Sequence, residues 1–180
     1  MRAGSRWPHF EEECSDYLPF PFFLAYATAI LEKAGHECLL VDGIAERGSE
    51  DAYIARAAAF KPQVAILEVS TASLDTDLRQ AAKIKDACPQ CRIVFCGLHV
   101  DMFEPAFLEQ TPCVDFVIKG EYDVIVEPLV RAIEDGQNYD AVPNLVYRTP
   151  SGTGKDTPRQ EVVHDLDSLP WPARHSLPML

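Results

Sequence analysis

Apolar and polar positions along the chain switch repeatedly between two periods. From Phe22 to Ala34, apolar residues recur at helical spacing (Phe23, Ala27, Ile30, Leu31) and stop at Gly35, which predicts a helix with a glycine terminator. His36-Glu37-Cys38-Leu39-Leu40-Val41 then reads as a buried strand ending at Asp42. Ser49 is placed to cap a helix through Phe60, with Glu50 and Asp51 where acids favour the positive end of the helix dipole. Val64-Ala65-Ile66-Leu67 predicts the next strand, and a helix follows from Ser73 or Asp75 to about Ala87. Arg92 to Cys96 predicts a strand, Glu104 to Glu109 a short helix, and Val114 to Ile118 another strand. A last helix runs from about Tyr122 to Glu134 and ends near Gly136.

Short, continuous apolar strands alternating with helices imply a parallel sheet covered on both faces. Right-handed crossovers make it a doubly wound α/β sheet of Rossmann-like or flavodoxin-like form. In the flavodoxin-like order the first strand is central, yet Met1 to Pro21 contains no four-residue apolar run. The expectation is a sheet without its first strand, so that either the true N-terminus lies upstream or the chain folds poorly alone. After Gly136 the pattern changes, and six of the 14 prolines fall at or beyond Pro143, where helical spacing disappears. Asn144 to Arg148 and Gln160 to Val163 flank the turn-rich Thr149–Gly154 and predict a β-hairpin. Asp165 to Arg174, with Pro170 and Pro172, reads as a linker. The expected organisation is an α/β domain over 1–139, a hairpin extension over 140–164 and a linker over 165–180.

Composition narrows the partners. The 180 residues carry 16 basic and 28 acidic side chains, a net charge of −12, which argues against nucleic acid as the main partner. No apolar run approaches the ~20 residues of a membrane span. The start, Met1 to Arg6, has no apolar signal core, so a cytoplasmic location without a membrane partner is expected. Of the six cysteines, Cys38 and Cys96 lie in apolar strand-like runs and read as small buried residues. Cys88-Pro-Gln-Cys91 matches CxxC without a second pair to complete a zinc site, which favours a plain turn over redox or metal chemistry. No metal ligand is assigned.

In an open parallel sheet, ligands bind beyond the carboxyl ends of the strands. The candidate positions are Asp42-Gly43, Glu68 to Ser73, Gly97-Leu98-His99-Val100 and Lys119-Gly120-Glu121-Tyr122. Small residues and hydroxyls there let a ligand approach the backbone and offer hydrogen bonds. The chain has no G-x-G-x-x-G and no P-loop, which removes dinucleotide and P-loop nucleotide binding. Lys119 sits where a phospho-receiver carries a lysine, but the strand ending Glu68-Val69-Ser70 has no phospho-accepting aspartate. His99 reads as a loop histidine bonded to backbone in preference to a ligand, and Glu121 as an acid at a helix start.

Four segments in order resemble the N-terminal cobalamin (B12)-binding domain of cobalamin-dependent radical SAM enzymes. They are Leu18 to Tyr26 leading into Lys33-Ala34-Gly35-His36-Glu37; Ile84-Lys85 through Phe95-Cys96-Gly97-Leu98-His99-Val100; Val114 to Glu121; and Asp165 to Arg174, which is similar to the segment joining that domain to the radical SAM barrel. The resemblance implies that cobalamin lies over the carboxyl ends of the strands, its nucleotide tail between the loops after the family's third and fourth strands. It implies that Ser70, Thr71, Ser73 and Leu74 line the tail, that Gly97, Leu98 and His99 form the facing loop, and that Gly120 and Glu121 lie over the corrin edge. Leu98 replaces the second glycine of the family's GG pair. Where methionine-synthase-type domains carry D-x-H-x-x-G, this chain has Asp42-Gly43-Ile44, and Ile44 cannot coordinate cobalt. Base-off binding without a histidine ligand is the expectation. The chain contains no CxxxCxxC. The resemblance therefore assigns the [4Fe–4S] cluster and S-adenosylmethionine to a radical SAM barrel downstream, in cis or in trans. By this resemblance the parent is a methyltransferase-type enzyme, and this chain holds the cofactor without itself catalysing. The alternative is an interaction module of the same fold without cofactor.

Overall fold

The computed structural model describes residues 20–43, 45–46, 48–136, 138–159 and 165–177. Helix α1 (Phe22–Lys33) and helix α2 (Glu50–Phe60) precede strand β1 (Val64–Glu68). Then come α3 (Leu74–Ala87), β2 (Arg92–Cys96), α4 (Ala106–Gln110), β3 (Phe116–Ile118) and α5 (Val126–Glu134), and the hairpin β4 (Leu145–Arg148) and β5 (Gly154–Asp156) follows. The strands form one sheet in the order β1-β2-β3-β4-β5. β1, β2 and β3 are parallel, Val64 to Glu68 running beside Arg92 to Cys96. β4 and β5 are antiparallel, with Phe116 opposite Tyr147 and Val146 opposite Asp156.

Strand alternation divides the core into two layers. Val94, Cys96, Phe116, Ile118 and Leu145 face α1 and α5. Leu67, Ile93, Phe95, Val117 and Val146 face α3, α4 and the Phe103–Phe107 stack. The local signals act as their chemistry requires: Ser49 Oγ accepts from the Ala52 amide at 3.3 Å to cap α2, and Gly35 takes a left-handed φ of 98° after α1. Asp115, just before β3, accepts from the Ile93 amide (2.8 Å), Lys85 Nζ (2.6 Å) and Arg92 Nη1 (3.1 Å), pinning α3 and β2 to β3.

Two sequence expectations change. Residues 36–41 form no strand, and among the described residues no ladder bond joins 37–41 to another segment. An apolar run becomes a strand only beside another one, and between this run and β1 lies a cavity of about 400 Å³. The hairpin also closes earlier than expected. Its second strand is Gly154–Asp156, since Thr149 and Gly152 already close the turn through Thr149 N to Thr153 O and Gly152 N to Thr149 O, both 2.9 Å. Gln160 to Val163, the strand expected there, lies outside the described residues, as do Leu18, Pro19 and Ile44. The hairpin extends the main sheet, and the stretch after Pro172 returns to it: the Ala173 amide donates to Ala25 O at 2.9 Å, and Leu177 joins the α1–α5 core. No helix among the described residues is long and apolar enough to cross a membrane.

Candidate functional site

Parallel strands end in step, so the loops after β1, β2 and β3 gather on one rim. The first two touch at sheet level, where the Val69 amide donates to Cys96 O at 2.7 Å. Gly97 makes this approach possible. Its φ is 100°, and a Cβ there would stand 2.9 Å from Val69 O and 3.1 Å from Glu68 Cγ. Farther out, Thr71 Oγ1 and His99 Nδ1 lie 2.9 Å apart and join the first loop to the second. Asp101 Oδ1 accepts from the Gly120 amide at 2.8 Å, which ties the second loop to the third.

The β1 loop is built around one hydroxyl. Ser73, 1% exposed, donates from Oγ to Asp77 Oδ2 at 2.7 Å, and its Oγ lies 2.9 Å from Ser70 Oγ and 3.2 Å from the Ser70 amide. Burial pushes the Asp77 carboxyl up to about 7, partly offset by the Ser73 hydrogen bond. Its other oxygen, Oδ1, has no hydrogen-bond partner among the described residues. Ser73 is therefore turned into the loop, whereas Thr71 is exposed and Ser70 and Leu74 are half-buried.

The β2 loop forms a 3-10 turn over Leu98–Met102 that points apolar side chains outward, with Leu98 76% and Met102 70% exposed. Leu98, which stands where the family has a second glycine, thus carries its side chain to solvent. His99 bonds a side-chain hydroxyl, not backbone as expected, and packs edge-on against Phe103 with ring centroids 5.2 Å apart. Gly120 (φ 74°) and Glu121 are exposed on the third loop. Lys119 is turned away and donates from Nζ to Asp156 on β5 at 2.7 Å, which leaves the phospho-receiver reading without its lysine. Asp42 is buried and its Oδ1 accepts from the Ala45 amide at 3.2 Å.

The sequence-assigned residues Ser70, Thr71, Ser73, Gly97, Leu98, His99, Gly120 and Glu121 belong to these three loops, and Leu74 begins α3 directly after the first. Sequence reasoning missed Asp77 and Asp101. The Ser73–Asp77 pair carries a signal, serine and acid four residues apart at a helix start. Asp101 carries none, because its partner Gly120 is 19 residues away. Cys88 and Cys91 form a turn, Cys91 N donating to Cys88 O at 2.9 Å, and burial raises the Cys91 thiol to about 11, away from nucleophilic reactivity.

The chain is 27% identical over 162 residues to an uncharacterised methyltransferase of Pyrococcus horikoshii, covering 88% of this chain and 34% of that protein. It is 25% identical over 153 residues to an anaerobic magnesium-protoporphyrin IX monomethyl ester cyclase of Rubrivivax gelatinosus, covering 83% and 28%. The chain thus spans about a third of the length of these relatives. Its fold matches the cobalamin-dependent S-adenosylmethionine radical enzyme OxsB with aqua-cobalamin and S-adenosylmethionine bound (TM-score 0.72, 14% identity, 86% of this chain and 21% of that one). It also matches the radical S-adenosylmethionine methyltransferase TsrM of Kitasatospora setae (TM-score 0.66, 20% identity, 78% and 28%). The family model for the B12 binding domain matches residues 13–130, and the chain belongs to that family.

Proposed function

We propose that this chain is the cofactor-holding module of a cobalamin-dependent radical SAM enzyme and that it binds cobalamin base-off, with no histidine on cobalt. The observation that carries the reading is the rim itself: three loops tied edge to edge, the first two in close approach at Gly97 and the second and third joined by Asp101 and Gly120. The residues present fit a corrinoid. Leu98 and Met102 offer exposed apolar contact, Gly120 lets the ring approach backbone, and Thr71 and His99 offer hydrogen-bonding groups on the first two loops. In this reading the nucleotide tail lies between Ser70–Thr71–Leu74 and Gly97–Leu98–His99. Gly120 and Glu121 cover the corrin edge. Ser73 contributes by holding its loop through Asp77.

The absence of a cobalt-ligating histidine rests on Ile44 in the Asp42-Gly43-Ile44 stretch. Bound methylcobalamin supplies a methyl group to the radical chemistry of the parent enzyme, whose [4Fe–4S] cluster and S-adenosylmethionine belong to a barrel in cis or in trans. This chain's part is to fix the cofactor's orientation. The organisation that follows is a binding domain over 1–139, a hairpin over 140–164 and a connection to the barrel over 165–180.

The test mixes the chain with hydroxocobalamin, removes free cofactor by desalting, and records retained absorbance and the EPR spectrum after reduction to Co(II). The expected result is about one retained cobalamin per chain, with a base-off spectrum and no nitrogen superhyperfine splitting. A folded chain that retains none overturns the reading, and splitting from a protein nitrogen overturns the ligation.

A further inference from the structure

The three rim loops carry little positive charge of their own. Glu68 to Ser73, Gly97 to Phe103 and Lys119 to Val124 contain one lysine and no arginine, and that lysine, Lys119, is engaged by Asp156. A cation reaches the rim instead from the segment after the hairpin. Asn144, buried and with a left-handed φ of 59°, accepts at its carbonyl from the Lys119 amide (2.8 Å) and donates from its amide to Pro158 O (3.1 Å). Thr157, also buried, donates from its amide to Leu145 O and accepts at Oγ1 from the Leu145 amide, both at 2.9 Å. Residue 159 therefore leaves a backbone that is locked to the head of the third loop. Arg159 Nη2 stands 3.7 Å from Asp101 Oδ1, the same oxygen that accepts from the Gly120 amide at 2.8 Å. At that distance the two charges attract without a hydrogen bond between them. Both side chains open to solvent, and among the described residues the Gly120 bond is the only hydrogen bond either one makes. The guanidinium N–H groups and Asp101 Oδ2 thus stand side by side, donor beside acceptor.

We propose that Asp101 and Arg159 form a recognition pair for a primary carboxamide on the edge of the bound corrinoid, Arg159 donating to the amide oxygen and Asp101 accepting from the amide N–H. A carboxamide presents one acceptor and one donor next to each other, and a guanidinium held beside a carboxylate answers both. The pair also selects. A lone arginine would favour an anion and a lone aspartate a cation, whereas the two together are neutral and favour a neutral polar group. A carboxylate in place of the amide would meet Asp101 as a like charge and would bring it no donor. The phosphate of the nucleotide tail is the other acceptor that a guanidinium would attract, and Asp101 disfavours it for the same reason. This inference rests on the cobalamin reading and adds to it which chemical groups of the cofactor this side of the rim reads.

The experiment titrates the full chain with three corrinoids and follows their absorbance. Hydroxocobalamin is the first; aquacobinamide keeps the edge amides but lacks the nucleotide and its phosphate; cobyrinic acid carries carboxylates where the amides stand. Each titration is run at low salt and in about 1 M KCl, where the screening length falls to about 3 Å and diffuse charge effects fade. Arg159→Met keeps the aliphatic stem without donors and should weaken cobalamin and cobinamide alike, by about three- to tenfold, the size of one lost hydrogen bond. Asp101→Asn keeps an oxygen for the Gly120 amide and should weaken cobinamide while tightening cobyrinic acid, a reversal that a merely loosened loop would not give. Unchanged dissociation constants in Arg159→Met overturn the inference. So does a loss confined to cobalamin, which would place Arg159 on the tail phosphate, and so does a loss that vanishes in about 1 M KCl. Equal weakening of cobinamide and cobyrinic acid by Asp101→Asn overturns it as well. If the unaltered chain binds none of the three, the cobalamin reading falls and takes the pair with it; if the unaltered chain binds and the variants match it, only the pair falls.

Discussion

The two sides of this sheet are built from equally apolar segments but finish differently. On the hairpin side, polar groups that enter the interior are matched. Lys119 meets Asp156, Thr157 Oγ1 accepts from the Leu145 amide at 2.9 Å, and Arg148 Nη2 donates to Leu108 O (2.6 Å) and Val114 O (3.0 Å). On the β1 side, α3 buries Asp77 Oδ1 and Gln80 Oε1 without a partner among the described residues, and Leu39 is left 39% exposed within an apolar run. The difference teaches that an apolar run specifies a strand only together with its neighbour. Leu145 and Val146 have β3 and β5 to pair with; Leu39 and Leu40 face a cavity.

The comparison is sharpened most by truncating one leucine on each side. Leu145→Ala empties a fully buried position and should lower the unfolding free energy by about 2–5 kcal/mol in urea denaturation. Leu39→Ala should change it by less than about 0.5 kcal/mol. Comparable losses at the two sites would show that 36–41 is as tightly packed as β4.

The second prediction concerns pH. Burial raises the Asp77 carboxyl from its ordinary 3.8 to about 7, so the folded chain holds this proton more tightly than the unfolded chain. The stability this gives is fully present below about pH 4 and is lost as pH rises through 7, a change of a few kcal/mol. Asp77→Asn should flatten that slope in urea titrations between pH 4 and 8. An unchanged slope would mean that other groups set it.

Gly97→Ala is the third. A methyl group there meets the Val69 carbonyl in a left-handed backbone, and a loss of about 1–3 kcal/mol is expected, together with weaker cobalamin retention after desalting. Normal stability and retention would show that the two loops separate freely. The smallest effect belongs to Ser49→Ala, which removes the cap of α2 beside the cavity and should cost about 1 kcal/mol by thermal denaturation. A larger loss would show that α2 is held mainly by its cap and little by its packing.

Much of the architecture was legible in the order of residues. The ends of α1, α2, α3 and β2 fall within a residue or two of where Gly35, Ser49, Ser73 and the Arg92 run place them, because caps and periodicity act locally. The rim loops were legible too, since the ends of parallel strands collect at one side whatever their side chains. Contacts between residues distant in sequence were not. Thr71 with His99, Asp101 with Gly120 and Lys119 with Asp156 are separated by 28, 19 and 37 positions, and no local pattern encodes them.

The alternation of helix and strand, the lack of an apolar run before α1 and the small residues after each strand were determined by sequence alone, because each follows from side-chain volume and hydropathy along a short stretch. Tertiary structure decided the fate of 36–41. It also decided that Leu98 faces solvent and that Ser73 turns inward to Asp77. Those outcomes depend on which backbone groups find a partner across the sheet, and that is settled only when the segments come together.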